Sequence, residues 1–330
     1  MSLKKKRILI FISVILIIVG SYVLYYVFSI YRGLDNLNKS PENSPFHEVR
    51  AIDEKIVDPP KWTGTEPVNI LLMGVDARGT KKGEIPRSDS MMVVSLDPAS
   101  ARIHVFSILR DTYTDIPGHG QNRINTAITH GPETAMSAVS DLLGIPVHFY
   151  VYTDFQGFIK LVDAVGGLDF HVEKDMNYES KADKHEYDIN LKEGKQHLDG
   201  EEALQYVRFR QDAASDFSRT KRQREFINAL VVKLKNTTSI MKLPSILEEI
   251  APYVDTNLSV NDMWKLATVG YESKLEGSEQ IPPMNLLKGT RVGQASVLAV
   301  TSHAELKEYV RDQIEPDESV SVDNEDSMQH

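Results

Sequence analysis

From Ile8 to Tyr31 the chain carries no charge, and its apolar run is broken only by Ser13, Gly20, Ser21 and Ser29. Those roughly 24 residues make about 36 Å of helix, enough to cross a hydrocarbon core of ~30 Å. In lipid such a segment satisfies its backbone only as a helix. Lys4, Lys5, Lys6 and Arg7 precede it, and no acidic residue occurs before Asp35. The positive-inside rule therefore predicts a cytoplasmic basic segment at 1–7, a membrane anchor at 8–31, and an extracytoplasmic remainder, a single-pass type II topology. A cleaved signal peptide is the competing reading, with Val19-Gly20-Ser21 as its cleavage site. The apolar run continues from Tyr22 through Phe28, which a cleaved peptide does not need.

Beyond the anchor the pattern changes twice. Residues 32–66 are polar and hold Pro41, Pro45, Pro59 and Pro60, which predicts a linker. Alternating and continuous apolar runs then predict strands at Val68–Met73, Met91–Leu96, Ile103–Leu109, Val147–Tyr152 and Leu168–Val172. Helical spacing predicts helices near 133–143, 154–165, 219–235, 260–268 and 304–311. The mixture implies an α/β domain with layered helices over residues 67–311. No helical pattern fills the loop between the first two strands, and a short Asp97–Ala101 turn follows the second. Both connections predict antiparallel neighbours. Asp76, Arg87, Asp89, Arg110 and Asp111 then meet at one edge of the sheet.

Charge refines the picture. The net charge is −10, but residues 1–32 carry five basic side chains and no acid, leaving −15 on the rest. Such a domain is a poor nucleic-acid binder. Seven acidic residues and no Lys or Arg from Asp312 onward predict a disordered tail at 312–330. With no cysteine, disulfides, thiolate nucleophiles and Cys-ligated metals are excluded. A domain of roughly 250 residues buries a full core without them. An exported, cysteine-free chain fits a bacterial surface.

Three features carry candidate chemistry. Arg208 and Arg210 would share one face of an extended segment, beside Tyr206. They read either as a solvated strand edge or as an anion-facing pair. Ile227, Leu230, Val231 and Leu234 form an apolar helix stripe, and stepping back by fours puts Gln223 and Arg219 on its buried face. An Arg buried at a helix N-terminus needs an anion, supplied by a ligand phosphate or by Asp212 or Asp216. Asp76 and Asp89 read as a Mg2+ site completed by substrate phosphates, or as caps and turn residues. Arg123 is uninformative by itself. No G-x-S-x-G, H-E-x-x-H or Walker-type loop occurs.

Several blocks in order resemble the LytR-CpsA-Psr family of cell-wall glycopolymer transferases. They are Asn69–Asp76, Arg87–Met92, Ser107–Tyr113, Arg123–Asn125, Leu161–Gly167, Leu198–Arg210 and Arg219–Gln223. Leu109 stands where Pro is common in the family, and Val75 and Ser90 are mild variants. The resemblance implies an α-β-α sandwich with a mixed central sheet and an apolar polyprenyl pocket. It implies transfer of a glycopolymer, wall teichoic acid in Gram-positive bacteria above all, from a polyprenyl diphosphate to the 6-hydroxyl of N-acetylmuramic acid in peptidoglycan. Carried over by motif, Asp76 and Asp89 would hold Mg2+ (or Mn2+). Arg87, Arg110, Arg123, Arg208, Arg210, Arg219 and Gln223 would surround the diphosphate. Asp216 would be the general base, with Arg110 and Arg219 beside it in the catalytic set. Membrane lipid and the cell-wall synthesis machinery are the implied surroundings. Hydrolysis of the lipid-linked diphosphate and non-catalytic lipid-glycan binding remain alternatives at this level.

Overall fold

The protein is described from a computed structural model, which covers residues 3–52, 59–78, 80–81, 83–179, 188–211 and 216–315. The apolar run forms one unbroken helix, α1 (Leu3–Leu37), followed by a short α2 (His47–Ile52). The strands that open the domain are β1 (Val68–Val75), β2 (Ser88–Asp97), β3 (Arg102–Ile108), β4 (Thr112–Ile116) and β5 (Gly120–Arg123). Then come α3 (Pro132–Leu143), β6 (Phe149–Asp154), α4 (Phe155–Ala164), β7 (Leu168–Val172), β8 (Met176–Tyr178), β9 (Ile189–Leu191) and β10 (Gly194–Leu198). Helices α5 (Gly200–Arg208), α6 (Asp216–Leu234), α7 (Thr237–Met241) and α8 (Leu243–Ile250) follow. The chain closes with β11 (Val254–Thr256), α9 (Val260–Glu272), β12 (Lys274–Ile281), β13 (Leu287–Val292), β14 (Ala295–Val300) and α10 (His303–Ile314).

The central sheet runs β11-β6-β1-β2-β3-β12. As the loop lengths predict, β1 pairs antiparallel with β2, and β2 with β3. The parallel β1–β6 and β3–β12 pairs make the sheet mixed. Side chains alternate across a strand, and in β1 both faces are apolar for different reasons. Leu71 and Val75 enter a core with Val139 and Leu142 of α3 and Leu306 and Val310 of α10. Ile70 and Leu72 point the other way, into a cavity roofed by α4, α5, α6 and α9. The layers are thus helix, sheet, cavity and helix.

The expected linker is not one over its described part. Helix α1 continues past Arg32, and Ile30 and Leu37 are buried against Leu247, Ala251 and Val254. Phe46 is fully buried, edge-on to Tyr150 and Tyr152. Trp62 packs on Phe149 and donates its indole N–H to the Glu66 carbonyl. A few large apolar residues in a polar stretch dock it, because each buries ~1.5–3 kcal/mol of transfer free energy. Residues 53–58 lie outside the described residues. So does 316–330, most of the predicted tail, whose first residues belong instead to α10, ending at Ile314.

Candidate active site

The cavity has a volume of about 860 Å³. Its walls are apolar along most of their length, with Leu72, Met92, Phe158, Leu161, Ile227 and Met263 among the lining residues. At one end, where β1 stops and β2 starts, the lining turns to charge: Asp76, Arg78, Asp89, Arg110, Arg208, Arg210, Arg219 and Gln223. The antiparallel topology brings the first part of this set together, and helices α5 and α6 deliver the rest.

Helix α5 is set by a capping box, in which the Asp199 carboxylate accepts from Glu202 N and the Glu202 carboxylate from Asp199 N. Arg208 is its last residue. Phe209 leaves the helix with φ −59° and ψ 134°, so Arg210 follows on an extended bond. The expected extended R-x-R is therefore a helix end, and Tyr206 is buried with its hydroxyl on Glu173 instead of beside the arginines. Arg222 fixes this corner by donating to the Phe209 carbonyl at 2.6 Å and to Glu173 at 3.1 Å.

Helix α6 begins at Asp216, whose charge suits the helix N-terminus. The Arg219 side chain is only 3% exposed and meets Asp216 Oδ1 at 2.7 Å. Of the two internal partners open to Arg219, Asp216 is the one seen. Asp212 lies outside the described residues. The apolar stripe is displaced from the expected one. Phe226 is fully buried, while Val231 is 40% exposed, because α6 packs on both β3 and β7. Gln223 is held by Ser90 Oγ, which donates to its carbonyl, and by its own amide donating to Val207 O.

The charges interlock. Arg110 donates to Asp89, lies 3.8 Å from Asp216 and 3.9 Å from Asp111. Arg210 approaches Asp89 at 3.7 Å and Asp216 at 3.9 Å. Burial pushes the Asp216 carboxyl above its ordinary range, against the pull of Arg110 and Arg210 and with the push of Asp111 and Asp89. Burial, with Arg110 close by, lowers Arg210. Asp216 Oδ2 and the Nε atoms of Arg110 and Arg219 are buried and have no hydrogen-bond partner among the described residues. Buried donors rarely stay unsatisfied, so crowded guanidiniums of this kind suit an anionic ligand.

Two expected diphosphate ligands stand apart. Arg87 is exposed and does not line the cavity. Arg123 is also outside it, donating to Ser296 O and pairing with Asp111 at 3.4 Å, so it braces Arg110 through a shared carboxylate. Sequence reasoning missed Arg78. Its guanidinium binds both oxygens of Asp76 and lies 5.5 Å from the Phe155 ring, which Arg208 also faces at 5.1 Å. An Arg two residues after a strand-end Asp was the available signal. Burial raises the Asp76 carboxyl, but the bonds from Arg78 outweigh it and hold it below its ordinary range.

Asp76 and Asp89 both face this cavity end, as the metal reading requires. The Arg110 and Arg210 contacts to Asp89 both fall on Oδ1. Among the described residues no group of three or more carboxylates and imidazoles forms a cage. Two carboxylates beside a cluster of guanidiniums fit a hard cation that keeps water and takes substrate oxygens.

The model of the LytR_cpsA_psr family matches residues 24–312. The chain is 35% identical over 284 residues to the polyisoprenyl-teichoic acid–peptidoglycan teichoic acid transferase TagU of Bacillus cereus, covering 84% of this chain and 87% of TagU. It is 34% identical over 283 residues to TagV of Bacillus subtilis, a transferase of the same description, covering 82% of this chain and 68% of TagV. The crystal structure of B. subtilis TagV superposes with a TM-score of 0.62 at 29% identity, over 76% of this chain and 97% of that one. A TagT structure with bound octaprenyl pyrophosphate lipid superposes at 0.58 with 26% identity, over 77% and 93% of the two chains.

Proposed function

The chain belongs to the LytR-CpsA-Psr family, and from that premise we propose that it is a transferase acting on wall teichoic acid at the outer face of a bacterial membrane. It moves the glycopolymer from a polyprenyl diphosphate carrier to the 6-hydroxyl of N-acetylmuramic acid in peptidoglycan. The observation that carries this reading is one cavity with two chemistries: apolar walls for a prenyl chain and an arginine-lined end for its diphosphate.

Phosphoryl transfer asks chiefly for positioning and charge stabilisation. Arginines do both, since the planar guanidinium grips two phosphate oxygens and stays charged. Arg110, Arg210 and Arg219 share Asp216 as counter-ion, so they are pre-aimed before donor binds. Asp216 would take the proton from the muramic hydroxyl through Oδ2. The deprotonated muramic oxygen attacks the phosphorus bearing the glycopolymer, a new P–O bond forms, and the bond to the bridging oxygen breaks. Polyprenyl phosphate leaves with its charge held by the arginines. A raised carboxyl pKa makes Asp216 a stronger base near neutral pH. Asp76 and Asp89 would hold Mg2+, which when bound neutralises charge on the diphosphate oxygens.

The test is product analysis with the full-length protein, Mg2+ and a polyprenyl diphosphate-linked disaccharide. The expected product is a phosphodiester to muramic acid that forms only when peptidoglycan is present. Release of sugar phosphate to water at the same rate without peptidoglycan would make the protein a hydrolase. Tight donor binding without turnover would make it a carrier.

A further inference from the structure

Helix α1 is long and apolar enough to cross a membrane, and it also docks on the domain. The side chains from Ile8 to Tyr25 are exposed, whereas Tyr26, Ser29, Ile30, Gly33, Leu34 and Leu37 form a half-buried to buried stripe at helical spacing. This stripe lies on α8. Gly33 makes the approach close, since a Cβ there would sit 2.8 Å from the Leu247 Cβ. Polar ties fix the same stretch: the Tyr26 hydroxyl donates to Ile240 O, Asn38 to Leu258 O at 2.8 Å, and Lys39 to Pro252 O at 2.9 Å.

Two of the docked residues, Leu34 and Leu37, also line the cavity. They pack with Val151 and Met263. Those two residues in turn pack with Ile70 and Leu258. Helix α1 therefore closes the cavity along the β11 edge of the sheet, two strands across from β1 and the charged cluster just beyond its end. Tyr22, Tyr25 and Tyr26 sit where an interfacial aromatic belt belongs, and Leu34 is eight residues further on, about 12 Å along the axis.

We propose that the docked end of the membrane anchor is part of the donor site, with Leu34 and Leu37 forming the wall along which the polyprenyl chain passes between the bilayer and the cavity. The proposal rests on the polyprenyl reading of the cavity given above. It adds that the anchor contacts the substrate's tail. Prenyl units near the diphosphate lie against the sheet and α4, and units further out lie against α1. Chain length is then read by α1, and a donor too short to reach it gains nothing from these residues.

The experiment uses the full-length protein in phospholipid nanodiscs and two donors, disaccharide diphosphates carrying two or eight prenyl units. Leu34→Ser and Gly33→Leu alter the wall and the docking respectively. The expected result is a rise in KM for the eight-unit donor at least tenfold greater than the rise for the two-unit donor, with kcat following neither. Equal rises for both donors, or none for either, would overturn the proposal. Because a variant could misfold, p-benzoylphenylalanine at position 34 gives an independent reading. Irradiation should link it to the eight-unit lipid, and an active protein that gives no such adduct also overturns the proposal. A wild-type protein that turns over neither donor would instead defeat the transferase reading.

Discussion

Asp216→Asn tests the chemistry most directly. In the wild type, Oδ1 is committed to Arg219 at 2.7 Å, with Arg110 and Arg210 at 3.8 and 3.9 Å. Oδ2 is buried and has no hydrogen-bond partner among the described residues, which leaves it to accept the hydroxyl proton. Asparagine keeps the size and one acceptor for Arg219 but cannot take a proton. General bases contribute about 10²–10⁴-fold, or roughly 3–5.5 kcal/mol at about 1.4 kcal/mol per decade. We expect kcat to fall by that factor. Donor binding should not weaken, because a negative charge has left a site built for an anion. The pH profile supplies a second check. Asp216 works deprotonated, and burial lifts its pKa above the ordinary carboxylate range. The rate should therefore rise with pH along an acid limb displaced upward from that range, and the limb should vanish in the variant. The assay is single-turnover transfer to peptidoglycan with donor affinity measured separately. A variant keeping a third or more of wild-type kcat, or one losing donor affinity with kcat intact, would refute the base assignment.

Other outcomes follow from the same geometry. Arg219→Lys should retain a charge near Asp216 but lose the fork that can hold two phosphate oxygens, giving about a tenfold fall in kcat/KM, while Arg219→Ala leaves Asp216 short of its nearest partner and should cost about a hundredfold in the same assay. Arg87→Ala should change kcat/KM less than threefold, because Arg87 lies outside the cavity, whereas Arg208→Ala should raise donor Kd at least tenfold, measured by displacement of a fluorescent prenyl diphosphate. Chelation by EDTA should slow transfer and Mg2+ should restore it, and Asp89→Asn should raise the Mg2+ concentration for half-maximal rate.

The residues that could be placed from sequence are those whose neighbours are local. The antiparallel β1–β2–β3 order follows from two loop lengths, and it put Asp76, Asp89 and Arg110 at one edge correctly. The burial of Arg219 followed from counting back along one helix. Failures arose where partners are distant. Arg208 and Arg210 look like a strand by their spacing, although Asp199 and Glu202 already spell a capping box nine residues upstream. Arg87 shares a motif with Asp89 but is exposed and does not line the cavity. Val231 was misassigned because a periodicity gives one apolar face, while α6 is contacted on two. The supposed linker misled for a similar reason. Its composition is polar, but Phe46 and Trp62 act singly, and an isolated aromatic leaves no periodic trace.

A flexible tether of some thirty residues would let the catalytic domain wander over distances of about 30 Å. The unbroken α1 removes that freedom. With α1 set in a bilayer, the domain would turn with its own span, and the arginine cluster would keep a constant height above the lipid surface. Such an enzyme would behave as a ruler: glycan strands at that height would be within reach as they pass, and those carried outward by later wall growth would not. The timing of polymer attachment would then follow from the geometry of a single helix.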